Sequence, residues 1–249
     1  MSAPERDQHG HARHGHAGHG HGHGHGHAGE QRAAGTTDAG RAVLEDDALG
    51  VEERWEGFYV ARGRIWSGRP NALLVEVAEP LAPGRALDLG CGEGGDSVWL
   101  AARGWAVTSV DVAPTALART REAAAAAGVE VTTEQHDLER SLPAGPFDLV
   151  SAFFLQSPVA WDRAAVLRRA AGLLAPGGHL VLVDHGSAPS WSWHGGHDFP
   201  TAQELHDGLA LPPEDFEAVR VDAPVREATG PEGQVGEVTD TVVVVRRRS

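Results

Sequence analysis

Residues 86–95, ALDLGCGEGG, constrain this chain more than any other stretch. An apolar run feeds directly into alternating glycines, so a strand must stop abruptly and the backbone must bend where no side chain leaves room. Asp96 stands where a cap for a following helix over residues 97–103 is expected. A second apolar run, VTSVDV, carries Asp111 near its end, sixteen residues beyond Gly95. A glycine turn between strand and helix, with an acid closing the next strand, describes a nucleoside site in an open α/β sheet. The bare backbone lies against the ligand and the acid accepts hydrogen bonds from two ribose hydroxyls.

Two cofactor classes use this geometry. Gly90, Gly92 and Gly95 satisfy the GxGxxG spacing of dinucleotide sites, a weak signal alone. Asp88, Gly90, Gly92 and Gly94 also spell D-x-G-x-G-x-G. A carboxylate at the strand end suits a cationic amino group better than a pyrophosphate, which prefers bare amides at a helix N-terminus. The loop therefore reads as a cradle for S-adenosylmethionine, with Asp88, Gly90, Gly92 and Gly94 at its methionine end and Asp111 on its ribose. Cys91 is the only cysteine and lies inside this loop. A small side chain filling space under the cofactor explains it more simply than a nucleophile.

In these motifs the chain resembles the class I S-adenosylmethionine-dependent methyltransferases, over residues 55–248. The glycine loop looks like that family's first motif and Asp111 like its ribose acid. His136, Asp137 and Leu138 resemble the segment that contacts adenine; FDLVSAFFLQ (147–156) resembles the fourth strand, and LLAPGGHLVLVD (173–184) the helix, turn and fifth strand. The resemblance implies that Cys91, Val112, Asp137, Leu138 and Phe153 join the cofactor's surroundings. The segment WEGFYVARGRIWSGRPN (55–71) is similar to the lead-in of small-molecule methyltransferases of the thiopurine and tellurite-resistance group, where it helps cover cofactor and acceptor.

Strand and helix patterns alternate through the middle of the chain. Strands are predicted over residues 105–110, 129–133, 147–154 and 179–183, and helices over 69–79, 115–127 and 163–174. Pro114 suits a first helical position, Gly128 a C-cap, and Asp162 an N-cap. Such alternation implies a parallel sheet with right-handed crossovers and helices on both faces. Residues 216–226 and 235–247 are β-rich with no helix between them, so a hairpin is predicted. The expected fold is a Rossmann-like, seven-stranded methyltransferase sheet, mostly parallel, with an antiparallel C-terminal hairpin.

Acceptor chemistry is less legible. Asp184 and His185 end the fifth strand, where open α/β sheets bind ligands, and are the candidates for a catalytic base. A capping or solvent histidine is the plainer reading of His185. Tyr59, Trp66, Trp191 and Trp193 are candidate lid aromatics over the acceptor; stapling loops to the core is the alternative. His185, His194 and His197 lie close enough in sequence to raise a metal site, but the intervening glycines leave its geometry undefined. The fourth strand ends in Ser151, Ala152, Phe153 and Phe154 where base and glutamine N-methyltransferases of the class carry Asn/Asp-Pro-Pro-aromatic.

Net charge is −14 and all 21 cationic side chains are arginine. An acidic surface repels nucleic acid and anionic membranes, so small molecules are the expected acceptors. Arg246, Arg247 and Arg248 read as a solvated strand end. No apolar run reaches the roughly 18 residues that span a bilayer, and no signal-peptide core opens the chain, so a cytoplasmic location is expected. Residues 1–40 form a low-complexity tail and linker, and 41–249 the catalytic domain. Nine histidines fall between His9 and His27, the last five (His19, His21, His23, His25, His27) alternating with glycine. Such a segment has nothing to build a core from; it is either a flexible ligand for divalent metals or a handle without biological metal.

Overall fold

The computed structural model describes residues 38–189, 199–229 and 233–249. Two helices, α1 (Asp38–Leu44) and α2 (Val51–Val60), precede α3 (Ala72–Ala78). Then follow β1 (Arg85–Leu89), α4 (Gly95–Ala101), β2 (Ala106–Asp111), α5 (Pro114–Ala127), β3 (Thr132–Gln135) and β4 (Phe147–Phe153). The chain continues through α6 (Arg163–Ala171), β5 (Leu174–His185), α7 (Ala202–Leu209), β6 (Phe216–Asp222), β7 (Val225–Thr229) and β8 (Val235–Arg247). The sheet order is β3-β2-β1-β4-β5-β8-β6, with β7 also on β8. β1 to β5 run parallel, and β8 is antiparallel to both β5 and β6.

Two apolar layers fix the sheet. Leu87, Leu89, Leu180, Leu182, Val243 and Val245 pack with α6 and α7 on one face. Their neighbours Ala86, Val181, Val183, Val242 and Val244 pack with Leu74 and Ala78 of α3 and Leu100 of α4 on the other. The period-two alternation of a strand sends successive side chains to opposite layers, and both are buried. Hence the central strands read as continuous apolar runs in the sequence.

The sheet has eight strands because Pro224 interrupts the first arm of the hairpin. Proline has no N–H to give a ladder. β6 pairs with residues 242–247 of β8 and β7 with residues 235–239, while the Pro224 carbonyl accepts the Asp240 amide between them. The hairpin therefore continues as β7 and the first part of β8 past the point where His185 pairs with Asp240.

Three local expectations change. Asp96 does not cap α4; Gly94, at φ 81°, is the N-cap, and Asp96 lies in the first turn. Strand three starts later, at Thr132, after the Gly128 cap and residues 129–131. The lead-in contains α2, whose Glu56 accepts the Thr115 amide and hydroxyl at 2.9 and 2.6 Å and so closes the N-terminal end of α5. Asp162 does cap α6, accepting from the Ala165 amide. Asn71 and a Thr201–Glu204 capping box start α3 and α7.

Candidate functional site

The site is assembled at the carboxyl ends of β1, β2, β4 and β5. Gly90, Gly92 and Gly94 all lie in the left-handed region, at φ 68°, 54° and 81°. Two of these positions also lack room. A Cβ on Gly90 would come within 2.5 Å of Leu155, and one on Gly94 within 2.7 Å of Thr120. The loop's amides are largely spent inside the protein: Cys91 N donates to Val110 O, Gly92 N to Asp111 Oδ2 and Gly94 N to Cys91 O. A pyrophosphate would need those donors. The loop instead presents a floor of carboxylates.

Three acids make that floor. Asp88 is buried and accepts from Ser97 Oγ at 2.6 Å and Ser151 Oγ at 3.2 Å, with Ser109 Oγ donating on to Ser97. This chain ties β1, β2 and β4 to α4. Burial holds its pKa up against both hydroxyls. Asp111 accepts the Gly92 and Ala113 amides through separate oxygens, at 3.0 and 2.9 Å, with the Val112 amide also acting on it. Burial raises its pKa to about 6 in spite of those amides. Asp96 is pushed to about 7 by burial and by the charge on Asp88, and is held down by the Asn71 amide at 2.6 Å. An acid-lined cradle with tightly turned glycine backbone fits a ligand that carries a sulfonium and an ammonium. The residues therefore fit S-adenosylmethionine and do not fit a dinucleotide. Cys91 fills space beside Thr120, with its thiol pKa raised well by burial, as a spectator would be.

The lead-in is stitched over this cradle. Glu93, the residue between Gly92 and Gly94, is 2 % exposed and accepts the Ile65 and Trp66 amides at 3.1 and 3.0 Å. It is paired with Arg119 of α5 at 2.9 Å, and Arg119 also donates to the carbonyls of Tyr59, Arg62 and Gly63. Arg69 O comes so near Gly95 that a Cβ there would meet it at 2.8 Å. Tyr59 and Trp66 end up above Gly92, their hydroxyl and indole nitrogen 3.2 and 3.4 Å from where its Cβ would be. Tyr59 is also packed among Phe58, Ile65, Ala113 and Ala116, so it covers the cradle and anchors the segment at once. Trp66 is 42 % exposed.

At the far side of the cleft the candidate base Asp184 is corrected. Its carboxylate is fully buried and accepts both terminal nitrogens of Arg163 at 2.7 Å. A carboxylate engaged on both oxygens and shielded from the cleft does not take a proton from an acceptor; it locks β5 to α6. His185 is half-buried, stacked on Phe154 with centroids 4.3 Å apart and edge-on to Phe199 at 6.4 Å. Phe154 itself adopts φ 50° just after β4. Phe153 packs on the α3 and α4 face of the sheet.

The residues expected beside adenine are held by local contacts. Asp137 accepts the Glu139 amide and pairs with Arg140 Nε at 3.2 Å, Leu138 is buried and gives its carbonyl to Arg169, and Val112 O accepts Gln135 Nε2 at 3.1 Å. Trp191, Trp193, His194, His197 and the tail histidines lie outside the described residues. Among the described residues no group of three His, Cys, Asp or Glu is arranged to hold a metal ion. The sequence reading missed Glu93 and Arg119, although a charged residue between two obligatory glycines was a visible signal.

A methyltransferase-domain family profile matches residues 86–178, which span the glycine loop through the turn into β5. Residues 86–178 therefore form a methyltransferase domain, and its fold is that of the class I S-adenosylmethionine-dependent methyltransferases. Its cofactor is S-adenosylmethionine. The chain is 33% identical over 144 residues to ribosomal RNA small subunit methyltransferase C of Alcanivorax borkumensis, covering 53% of this chain and 42% of that protein. It is 36% identical over 112 residues to the ubiquinone biosynthesis O-methyltransferase of Marinobacter nauticus, covering 43% and 47%. The chain thus spans about half the length of these relatives or less. Among solved structures, a protein studied for conversion of a disulfide bond into a thioacetal group during echinomycin biosynthesis aligns at TM-score 0.63 and 25% identity, over 80% of this chain and 93% of that one. TehB from Haemophilus influenzae aligns at TM-score 0.56 and 18% identity, over 80% and 67%, a likeness of fold. These alignments match the mixed α/β, Rossmann-like methyltransferase sheet described above.

Proposed function

We propose that this methyltransferase moves a methyl group to a small-molecule acceptor by in-line attack. The observation that carries the reading is the glycine loop beside Asp88, Asp96 and Asp111, with its Cys91, Gly92 and Gly94 amides already used and Tyr59 and Trp66 lying over Gly92. When bound, S-adenosylmethionine supplies a methyl carbon activated by its sulfonium sulfur. The chain's own task is positioning, which accounts for much of the rate in a displacement of this kind. Asp111 takes the ribose hydroxyls beside the backbone amides it already accepts, Asp137 borders the adenine edge, and Tyr59 and Trp66 cover the methionine end. A thiol or reduced metalloid needs no further help, whereas an alcohol or amine must lose a proton, and His185 is the nearest imidazole at the carboxyl end of β5.

The relatives' names include an RNA enzyme and a quinone enzyme. The net charge of −14 and the Ser151–Phe154 sequence favour the small acceptor here, in a cytoplasmic setting. Calorimetry with S-adenosylhomocysteine and with NADH tests the cofactor; uptake of NADH alone would return the chain to the dinucleotide reading. Mass spectrometry of products across thiol, metalloid, alcohol and amine panels tests the acceptor, and failure of every panel would favour a silent binding module.

The histidine tail supports a second, separable role. We propose that the nine imidazoles at residues 9–27 bind a divalent metal such as nickel, zinc or copper, since neutral imidazole suits these ions and glycine lets the chain wrap them.

A further inference from the structure

His136 stands at the joint between the two acids assigned to the nucleoside. In the sheet order β3-β2-β1, the glycine loop follows β1, Asp111 ends β2 and His136 follows β3 directly. Ligands of open α/β sheets lie across the carboxyl ends of the strands. With the methionine portion over the β1 loop and the ribose at Asp111, the base extends to the end of β3, where Asp137 lies.

Three contacts fix His136 there. Its amide donates to Asp111 O at 3.1 Å, which joins it to the ribose acid through the backbone. Its imidazole, 16 % exposed, bridges two elements: Nε2 lies 3.0 Å from Glu134 Oε2 on β3, and Nδ1 lies 2.7 Å from Ser141 Oγ, five residues further on. A carboxylate only accepts, so the neutral ring carries its proton on Nε2 and accepts the Ser141 hydroxyl at Nδ1. Both ring nitrogens are then satisfied. Between His136 and Ser141 the Arg140 and Ser141 amides donate to Asp137 O, each at 2.9 Å, and the Glu139 amide donates to Asp137 Oδ1 at 3.1 Å. The bridge therefore closes the turn that carries Asp137.

The Asp137 carboxylate depends on that turn. Its ion pair is with Arg140, whose side chain is 86 % exposed, and an exposed pair of this kind constrains little. A carboxylate can accept about four hydrogen bonds, so Asp137 has room for a further donor. The 6-amino group of adenine is such a donor; a 6-oxo base offers an acceptor at the same place.

Resting on the methyltransferase reading above, we propose that His136 is a positioning residue for the base of the cofactor: by bridging Glu134 and Ser141 it sets the Asp137 carboxylate to accept the 6-amino group of adenine. His136 acts through Asp137 and selects the base indirectly.

The probes are S-adenosylhomocysteine and S-inosylhomocysteine, which carries a 6-oxo group in place of the 6-amino group, titrated calorimetrically into the full-length protein. The unaltered protein should bind the adenosine compound at least about tenfold more tightly, as expected when a hydrogen bond to a charged group is replaced by an opposed acceptor. Asp137→Ala should abolish that preference. His136→Ala should reduce it to about twofold or less and leave S-inosylhomocysteine affinity within about twofold, because the ribose and methionine contacts lie elsewhere. Ser141→Ala, at an exposed position, removes one end of the bridge without disturbing the core and should lower the preference at least about threefold. His136→Asn, which returns a polar atom close to Nδ1, should recover part of what His136→Ala loses. A role confined to stability would weaken both ligands alike and leave their ratio unchanged in the His136 and Ser141 variants, and that result overturns the proposal. So does an unaltered protein that binds the two compounds equally, or a preference that survives Asp137→Ala, since either removes the base contact. These failures leave S-adenosylhomocysteine uptake intact, whereas no uptake by the unaltered protein rejects the methyltransferase reading itself.

Discussion

Asp111 concentrates the chemistry of the cradle in one carboxylate. Its oxygens already accept the Gly92 and Ala113 amides, with the Val112 amide also acting on them, and the ribose must use what is left. Asp111→Ala should therefore lower S-adenosylhomocysteine affinity by about 10- to 100-fold, as expected for losing hydrogen bonds to a charged group, with an unchanged circular dichroism spectrum. Unchanged affinity would remove the ribose assignment. The same residue predicts a pH dependence. Its folded pKa of about 6 exceeds the unfolded carboxyl value, so the folded state binds this proton more tightly than the unfolded chain. Between those two values, stability of the ligand-free protein falls as pH rises, and below the lower one the penalty is absent. Asp96, at about 7, acts in the same sense. Ligand binding runs the other way, because protonated Asp111 is a poorer partner for hydroxyls and for a cation. Affinity measured by calorimetry should drop about tenfold from about pH 7.5 to about pH 5 with no parallel loss of melting temperature from these two acids. A flat affinity profile would mean that Asp111 does not touch the ligand.

Glu93 and Arg119 show how one element can be hung on another. Glu93 stands in the cofactor loop, Arg119 on α5, and together they hold the backbone from Tyr59 to Trp66 over the cradle. Removing one member of a buried ion pair costs about 3–5 kcal/mol in many proteins. Glu93→Gln should accordingly raise amide hydrogen exchange across residues 59–66 and weaken S-adenosylhomocysteine binding, leaving β4 and β5 protected. Exchange that rises uniformly over the sheet would point to global destabilisation instead of release of the lead-in. Elements with local signatures were legible in the sequence: the glycine loop, Asp111, the Asp162 and Gly128 caps and the alternation that makes a parallel sheet. What escaped depends on partners far along the chain. Nothing near Asp184 announces that Arg163, 21 residues earlier, will occupy both its oxygens. The serines that satisfy Asp88 come from α4 and β4, and the one that supports Ser97 comes from β2. α2 did leave a trace, since Trp55, Phe58 and Tyr59 fall at helical spacing, but the segment's resemblance to a covering lead-in, with Tyr59 and Trp66 as its lid aromatics, took precedence. Pro224 likewise marked the break between β6 and β7, and a β-rich composition on both sides concealed it.

At the scale of the whole molecule, the two proposed roles, methyl transfer by the domain and metal binding by the tail, call for separate tests. The described domain holds no cluster of metal-binding side chains, whereas residues 9–27 carry nine of the 15 histidines. Imidazole must be neutral to coordinate, so metal uptake by the tail should fade as pH drops through about 6.5. Cofactor uptake should fade slightly lower, with the pKa of Asp111 at about 6. Because the windows overlap, pH alone does not separate the two functions; deletion does. Removing residues 1–30 takes every tail histidine and stops short of α1, which begins at Asp38. The truncated protein should lose tight nickel binding in equilibrium dialysis, keep S-adenosylhomocysteine affinity within about twofold, and retain the acid-side decline set by Asp111. Nickel binding that survives the deletion would place the metal among the domain's own histidines, His185 foremost. Joint loss of nickel and cofactor binding would show that the tail and the cradle form one site, which is the outcome the acid-lined geometry of the loop argues against.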